Sequence, residues 1–68
     1  MYSEVFVSRI KNARKESGFT QREVAKETGI PRSTIAKYET GHLEPDLEKL
    51  GIIADFYQKP ADWFIGRS

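Results

Sequence analysis

The 68-residue sequence predicts an all-α fold, a compact bundle of five short helices in a single domain. In several segments apolar residues recur every three or four positions, and glycines and prolines divide the chain between these segments. A run of β-branched residues with period two, which would indicate a strand, is absent. We therefore expect one domain over residues 1–68, with helices near residues 3–17, 21–28, 31–39, 46–57 and 60–65.

The first two helices have clear end signals. Phe6 and Ile10 lie one helical turn apart in the first segment, and Gly18 suits the left-handed residue that follows a helix. The second segment opens with Thr20 and, three residues on, Glu23, which is the pattern of a capping box. The end of the first helix and the start of the second are therefore predicted by the residues at those positions.

The later helices begin near prolines. Pro31 and Pro60 suit first helical positions, where the missing amide hydrogen would have had no partner. Leu47 and Leu50 open an apolar row along the fourth helix, in which Gly51 should cost ~1 kcal/mol relative to alanine. The expected core draws on every helix and comprises Phe6, Ile10, Val24, Ala25, Ile35, Leu50, Ile53, Ala54, Tyr57 and Phe64.

Composition excludes several classes of function. The chain has no cysteine and a single histidine, His42, so we expect no disulfide, metal site or cofactor. Nucleophile motifs and glycine-rich phosphate loops are absent, which argues against an enzyme. No stretch approaches the ~20 apolar residues that span a bilayer, and no secretory signal is evident. We expect a cytoplasmic protein without a membrane partner.

Charge is distributed unevenly along the chain although the net charge is only +1. Residues 1–37 hold eight basic and four acidic side chains, whereas residues 38–68 hold three basic and six acidic ones. This asymmetry can give one face a positive potential that attracts an anionic polymer. The alternative is a chance bias among solvated helix faces.

Residues around the second and third helices form a specific pattern. They are Thr20, Gln21, Val24, Ala25, Gly29, Ile30, Ile35, Tyr38, Glu39 and Gly41, followed by Pro45, Leu50, Ile53, Ala54, Tyr57 and the stretch 62–66. This pattern closely resembles the lambda-repressor and Cro type of helix-turn-helix, the XRE family. The resemblance covers about residues 6–66, with the motif at about residues 20–39. It implies a lambda-repressor-like fold that binds double-stranded DNA.

The resemblance also implies a set of contact residues, because the second motif helix of this family lies in the major groove. Its readers would be Arg32, Ser33 and Lys37, with Thr34 near a phosphate or base and Gln21 on a phosphate and bracing the readers. Thr40 and His42 would contact phosphates from the following loop. Arginine can bond both acceptors on the edge of guanine. The alternative is that these side chains are ordinary solvated surface.

Two further residues, Arg14 and Glu39, are paired beneath the DNA-facing surface in many members of the family, so we expect an ion pair here.

Other positions depart from the family pattern. Pro31 and Pro60 stand where polar caps are usual, and Glu44 lies in a loop where relatives often carry basic residues. Lys59 occupies a position that is usually apolar.

The implied function is a transcriptional regulator, a repressor of phage, mobile-element or similar bacterial promoters. It would bind a palindromic operator as a homodimer, because one such module reads only a few base pairs. Two alternatives are an antitoxin that also binds its own promoter, although 68 residues leave no extra toxin-binding segment, and the DNA-binding domain of a longer repressor.

For the dimer surface we favour Ile52 and Phe56, extended by Trp63. The alternative is that Ile52 and Phe56 pack inside their own chain, under Tyr2 and Val5.

Overall fold

The computed structural model describes residues 3–67, and this part of the chain holds five α-helices and no strand. The helices are α1 (Ser3–Ser17), α2 (Gln21–Thr28), α3 (Arg32–Thr40), α4 (Leu47–Tyr57) and α5 (Ala61–Phe64). The predicted all-α, five-helix fold is confirmed. None of the helices in residues 3–67 has the length and apolar character needed to cross a bilayer.

Helix starts are the main difference from the predicted boundaries. Pro31 and Pro60 are the N-cap residues of α3 and α5, with extended ψ values of 142° and 147°, and are not the first helical residues. Asp46 likewise caps α4, where its carboxylate accepts from the amide of Lys49 at 2.8 Å. Proline offers the cap no acceptor, so α3 and α5 begin without a side-chain cap.

The predicted capping box at the start of α2 is confirmed. The amide of Glu23 donates to Thr20 Oγ1 at 3.1 Å, and the amide of Thr20 donates to Glu23 Oε1 at 2.8 Å. At the other ends of the two motif helices, Gly29 and Gly41 adopt left-handed φ values of 78° and 82°. These two glycines end α2 and α3 sharply, which sets the turn between them and the departure toward α4.

The core lies where α1 meets the inward faces of α2, α3, α4 and α5. Eight of the ten predicted core residues are buried, whereas Ala25 and Leu50 are only partly buried. Ala25 lies on an eight-residue helix whose one fully buried residue is Val24, and Leu50 borders an open groove. Three further apolar side chains complete the core: Ala13, Ile30 and Tyr38.

Leu47 corrects the apolar row expected on α4. Its side chain is 88% exposed, although it lies one turn before the partly buried Leu50. As the first residue of α4 it precedes the turns that pack on the core, where Ile53 and Ala54 are buried. Periodicity predicted the direction of the row but not how far the neighbouring helices cover it.

Candidate nucleic-acid interface

Helix α3 presents one exposed and one buried face. Ile35, Tyr38 and Glu39 are buried against the rest of the domain. Arg32, Ser33 and Lys37 are exposed, and Thr34 is half-buried, as the row of burial states along α3 shows. Ser33 and Lys37 lie four residues apart and so share one side of the helix. The outward face therefore carries three hydrogen-bonding side chains, two of them cationic: Arg32, Ser33 and Lys37.

An ion pair joins the end of α3 to α1. Arg14 Nε donates to Glu39 Oε2 at 2.8 Å, and Arg14 Nη2 donates to Glu39 Oε1 at 3.0 Å. The side chain of Glu39 is 3% exposed and that of Arg14 is 18% exposed. The hydrogen bond to Glu39 raises the pKa of Arg14, outweighing the opposing effect of burial. The remaining guanidinium nitrogen, Nη1, donates to the carbonyl of Phe19 at 3.0 Å.

Gln21 is attached to this ion pair. Its Nε2 donates to Glu39 Oε1 at 3.2 Å, which fixes the side chain at the start of α2 against the end of α3. Gln21 was predicted to brace the reading residues, whereas this bond goes to Glu39 on the buried face of α3. The side-chain oxygen of Gln21 takes no part in that bond, so it can still accept a hydrogen bond from a neighbouring donor.

A shallow recess joins the starts of α2 and α3. It has a volume of about 440 Å³ and is lined by Arg14, Thr20, Gln21, Arg22 and Arg32. Arg22 was not among the predicted contact residues. Its signal was present in the sequence, since a basic residue in the first turn of α2 lies beside Gln21. Because Arg14 is paired with Glu39, the positive potential of this surface comes from the guanidinium groups of Arg22 and Arg32.

The loop after α3 holds its polar side chains within the chain. Thr40 Oγ1 lies 3.1 Å from the carbonyl oxygen of Ala36 and 2.7 Å from Nδ1 of His42. The backbone amide of His42 donates to the carbonyl of Lys37 at 3.0 Å. A phosphate contact through the Thr40 hydroxyl would compete with these hydrogen bonds, whereas the exposed His42 ring lies at the loop surface.

The three residues predicted for the dimer surface are partly buried and packed against the core. The ring of Phe56 lies 5.1 Å from that of Phe19 and 4.9 Å from that of Tyr57. Phe56 thus has a partner that sequence reasoning did not name, because Phe19 lies in the connection between two helices. The alternative contact with Tyr2 lies outside the described residues.

Trp63 is covered by two cations. Arg9 lies 4.9 Å and Lys59 4.6 Å from the ring centroid, and Arg9 Nη1 also donates to the Trp63 carbonyl at 2.8 Å. Lys59, unusual at its position, thus packs on an aromatic face. These contacts connect α1, and the segment between α4 and α5, to Trp63 of α5. Within the described part of the chain, no three acidic or histidine side chains are grouped as metal ligands.

Comparison with known proteins agrees with this architecture. The family model described as helix-turn-helix matches residues 10–64. The chain is 30% identical over 59 residues to the HTH-type transcriptional regulator ImmR of Bacillus subtilis, covering 87% of this chain and 46% of ImmR. It is 34% identical over 61 residues to AnsR, an HTH-type transcriptional regulator of the same organism, covering 90% of this chain and 53% of AnsR.

A third relative comes from a phage. The cryptic phage CTXphi transcriptional repressor RstR of Vibrio cholerae is 38% identical over 56 residues, covering 82% of this chain and 50% of RstR. The chain thus spans about half the length of the curated relatives it matches. The family match over residues 10–64 and the α2–turn–α3 geometry lead to one conclusion: the chain belongs to the lambda-repressor and Cro type of helix-turn-helix family.

Proposed function

We propose that this protein is a sequence-specific DNA-binding transcriptional regulator that inserts α3 into the major groove. The observation that carries the proposal is the outward face of α3, where Arg32, Ser33 and Lys37 are exposed while the opposite face is buried. Side chains that project from a rigid helix can reach base edges without rearrangement of the domain. Arg32 is the principal candidate reader, because its fork can bond two acceptors of guanine.

The surroundings of α3 favour a phosphate backbone beside the start of that helix. Arg22 and Arg32 border one recess, and Gln21 is held beside them by its hydrogen bond to Glu39. Cationic and amide donors of this kind position a protein on DNA without reading its sequence. Glu39 pairs with Arg14 of α1 and accepts from Gln21 of α2, which ties the end of α3 to both helices and would keep phosphate contacts and base contacts in one register.

The operator we propose is palindromic and is bound by a homodimer, with half-sites ~34 Å apart. The name of one relative supports repression of a phage, mobile-element or similar bacterial promoter, since RstR is a cryptic phage repressor. As part of this proposal, the protein is cytoplasmic and acts without enzymatic activity.

Selection of bound sequences from a random duplex pool tests the proposal directly. We expect enrichment of one site, and affinity that falls steeply as salt rises, since basic contacts release counterions. Arg32→Ala should lose ~1–3 kcal/mol of discrimination at particular base pairs. The matched control is Lys26→Ala, an exposed cation of α2 beside Phe19 and Phe56 and away from the α3 face.

The control variant should select the same site as the wild type with nearly unchanged affinity. If Arg32→Ala and Ser33→Ala also select the wild-type site with the wild-type preference, α3 is not the reading helix in the way proposed. Absence of any enriched sequence would reject sequence-specific binding altogether.

A further inference from the structure

The loop after α3 contains the single histidine of the chain, His42, and this residue is exposed. Histidine is the side chain that ordinarily changes charge between about pH 5 and pH 8. The chain has no cysteine, so His42 is its main candidate for a proton equilibrium near neutral pH. The effect of this equilibrium depends on which ring nitrogen carries a proton, and the neighbouring Thr40 decides that.

The hydroxyl of Thr40 has one hydrogen and three neighbours that can accept it. Thr40 Oγ1 lies 3.1 Å from the carbonyl oxygen of Ala36, 3.2 Å from that of Lys37 and 2.7 Å from Nδ1 of His42. Carbonyl oxygens only accept, so a hydroxyl that turned its hydrogen to His42 would leave oxygen facing oxygen. The hydroxyl therefore donates toward the carbonyls, and Nδ1 of His42 carries a proton and donates to the hydroxyl oxygen.

The second ring nitrogen, Nε2, then differs between the two charge states of His42. In the neutral ring with its proton on Nδ1, Nε2 is an acceptor and would repel the oxygens of a phosphate. In the cation both nitrogens donate, so Nε2 can donate to a phosphate while Nδ1 still donates to Thr40. Thr40 disfavours the one neutral tautomer that would donate from Nε2. A phosphate contact through Nε2 therefore requires the cation.

We propose that His42 makes the DNA affinity of this chain depend on pH, because its ring takes up a proton when Nε2 donates to a phosphate of the DNA backbone. A ligand that binds the protonated ring favours protonation, and protonation favours that ligand by the same factor. Affinity for DNA therefore rises as the pH falls through the range in which the ring gains its charge. This dependence rests on the proposed function, to which it adds a means of regulation.

The charged groups around His42 have opposing effects on its cation. They lie on α1, on α3 and in the connection to α4: Glu4, Lys37, Glu44 and Asp46. Glu4 lines a recess with Thr40, and Lys37 accepts from the amide of His42 through its carbonyl at 3.0 Å. The carboxylates and the carboxyl end of α3 favour a cation, whereas the ammonium of Lys37 disfavours it. Carboxylates and lysines ordinarily keep their charge between about pH 6 and pH 8, so they do not themselves produce the dependence.

Titration of a fluorescent duplex that carries the enriched site, at about pH 6 and about pH 8 and at constant salt, tests the proposal. A charge-assisted hydrogen bond of ordinary strength corresponds to a factor of ~10 in affinity, and this interval covers much of that change. We expect the wild type to bind ~5-fold more tightly at the lower pH for each copy of the chain on the duplex. The logarithmic salt slope should also be steeper there by ~0.9 per copy, because one more phosphate is neutralised.

His42→Gln is the matched variant, because glutamine can donate to a phosphate but has no charge at any pH. Most of the difference between the two pH values should disappear in this variant, and its helical circular dichroism should be unchanged because His42 is exposed. Thr40→Val tests the hydroxyl separately. Without the hydroxyl the neutral ring can carry its proton on Nε2, so the pH dependence should fall between those of the wild type and His42→Gln.

Heteronuclear NMR spectra of the His42 ring in the free protein give a readout without DNA. At about pH 8 the wild type should carry its ring proton on Nδ1, and Thr40→Val should move it toward Nε2. A wild-type ring with its proton on Nε2 overturns the proposal, and so does an equal pH dependence of binding in the wild type and His42→Gln. Both results leave the sequence preference assigned to Arg32 untouched. Absence of DNA binding at both pH values would overturn the proposed function together with this pH dependence.

Discussion

Removal of Glu39 is the perturbation whose effect the structure defines most closely. The Glu39 carboxylate accepts three hydrogen bonds: from Arg14 Nε at 2.8 Å, from Arg14 Nη2 at 3.0 Å and from Gln21 Nε2 at 3.2 Å. In Glu39→Ala all three are lost, and the Arg14 guanidinium stays largely buried without its counter-charge. Arg14 keeps its hydrogen bond to the Phe19 carbonyl and an 18% exposed side chain, which lessens the penalty.

The expected loss follows from that geometry. Breaking a buried ion pair at one end costs ~3–5 kcal/mol, whereas an exposed pair contributes ~0–1 kcal/mol. Because Arg14 is partly solvated, we expect the lower end, ~3 kcal/mol. A domain of this size changes its Tm by ~4–8 °C per kcal/mol, so Glu39→Ala should melt ~12–24 °C below the wild type. Most of the ~3–5 kcal/mol that so small a core supplies would be lost.

Thermal denaturation followed by far-ultraviolet circular dichroism measures this shift. The matched control is Glu16→Ala, which removes an exposed carboxylate from α1 and should change stability by less than ~0.5 kcal/mol. In the double variant Arg14→Ala, Glu39→Ala the two losses should be clearly less than additive, because each single change leaves a partner unpaired. A Glu39→Ala shift no larger than that of Glu16→Ala would refute the reasoning that burial makes this pair structurally important.

Two glycine substitutions should change the stability of the domain in opposite directions, and Tyr57 should make its stability depend on pH. Gly51→Ala should stabilise the domain by ~1 kcal/mol, because Gly51 lies inside α4 and an added Cβ meets nothing within 4 Å. Gly66→Ala should destabilise it, since φ is +78° and the Cβ would lie 2.9 Å from Val5 Cγ1; equal Tm shifts for the two variants would contradict this. Burial raises the pKa of Tyr57 from 10.0 to about 12, with a smaller effect of Glu39. Tyr57 therefore stays protonated to a higher pH in the folded state than in the unfolded state. Its contribution to the free energy of unfolding is complete below pH ~10 and is lost toward pH ~12. Tyr57→Phe should flatten the alkaline limb of a pH–stability curve, and an unchanged limb would assign it to other groups.

Locally encoded features were predicted well. The capping box of Thr20 and Glu23 and the left-handed Gly18 after α1 depend on residues at most a few positions apart. Their hydrogen bonds form wherever the backbone starts or ends a helix, so sequence spacing is sufficient to find them. At Pro31 the predicted helix start was wrong by one residue. Proline suits both the cap and the first helical position, and the structure places Pro31 at the cap.

The sequence by itself determined the five helices, the capping box of α2 and the family pattern, because each depends on short-range periodicity or on a motif read along the chain. Tertiary structure decided which apolar faces are covered: Phe56 packs on Phe19 from a connecting segment, whereas Leu47, on a row that looked inward, is 88% exposed. Periodicity gives the direction of a side chain around its own helix and not the neighbour that meets it. Coverage depends on how five helices of unequal length pack, and that is fixed by contacts between residues far apart in the chain.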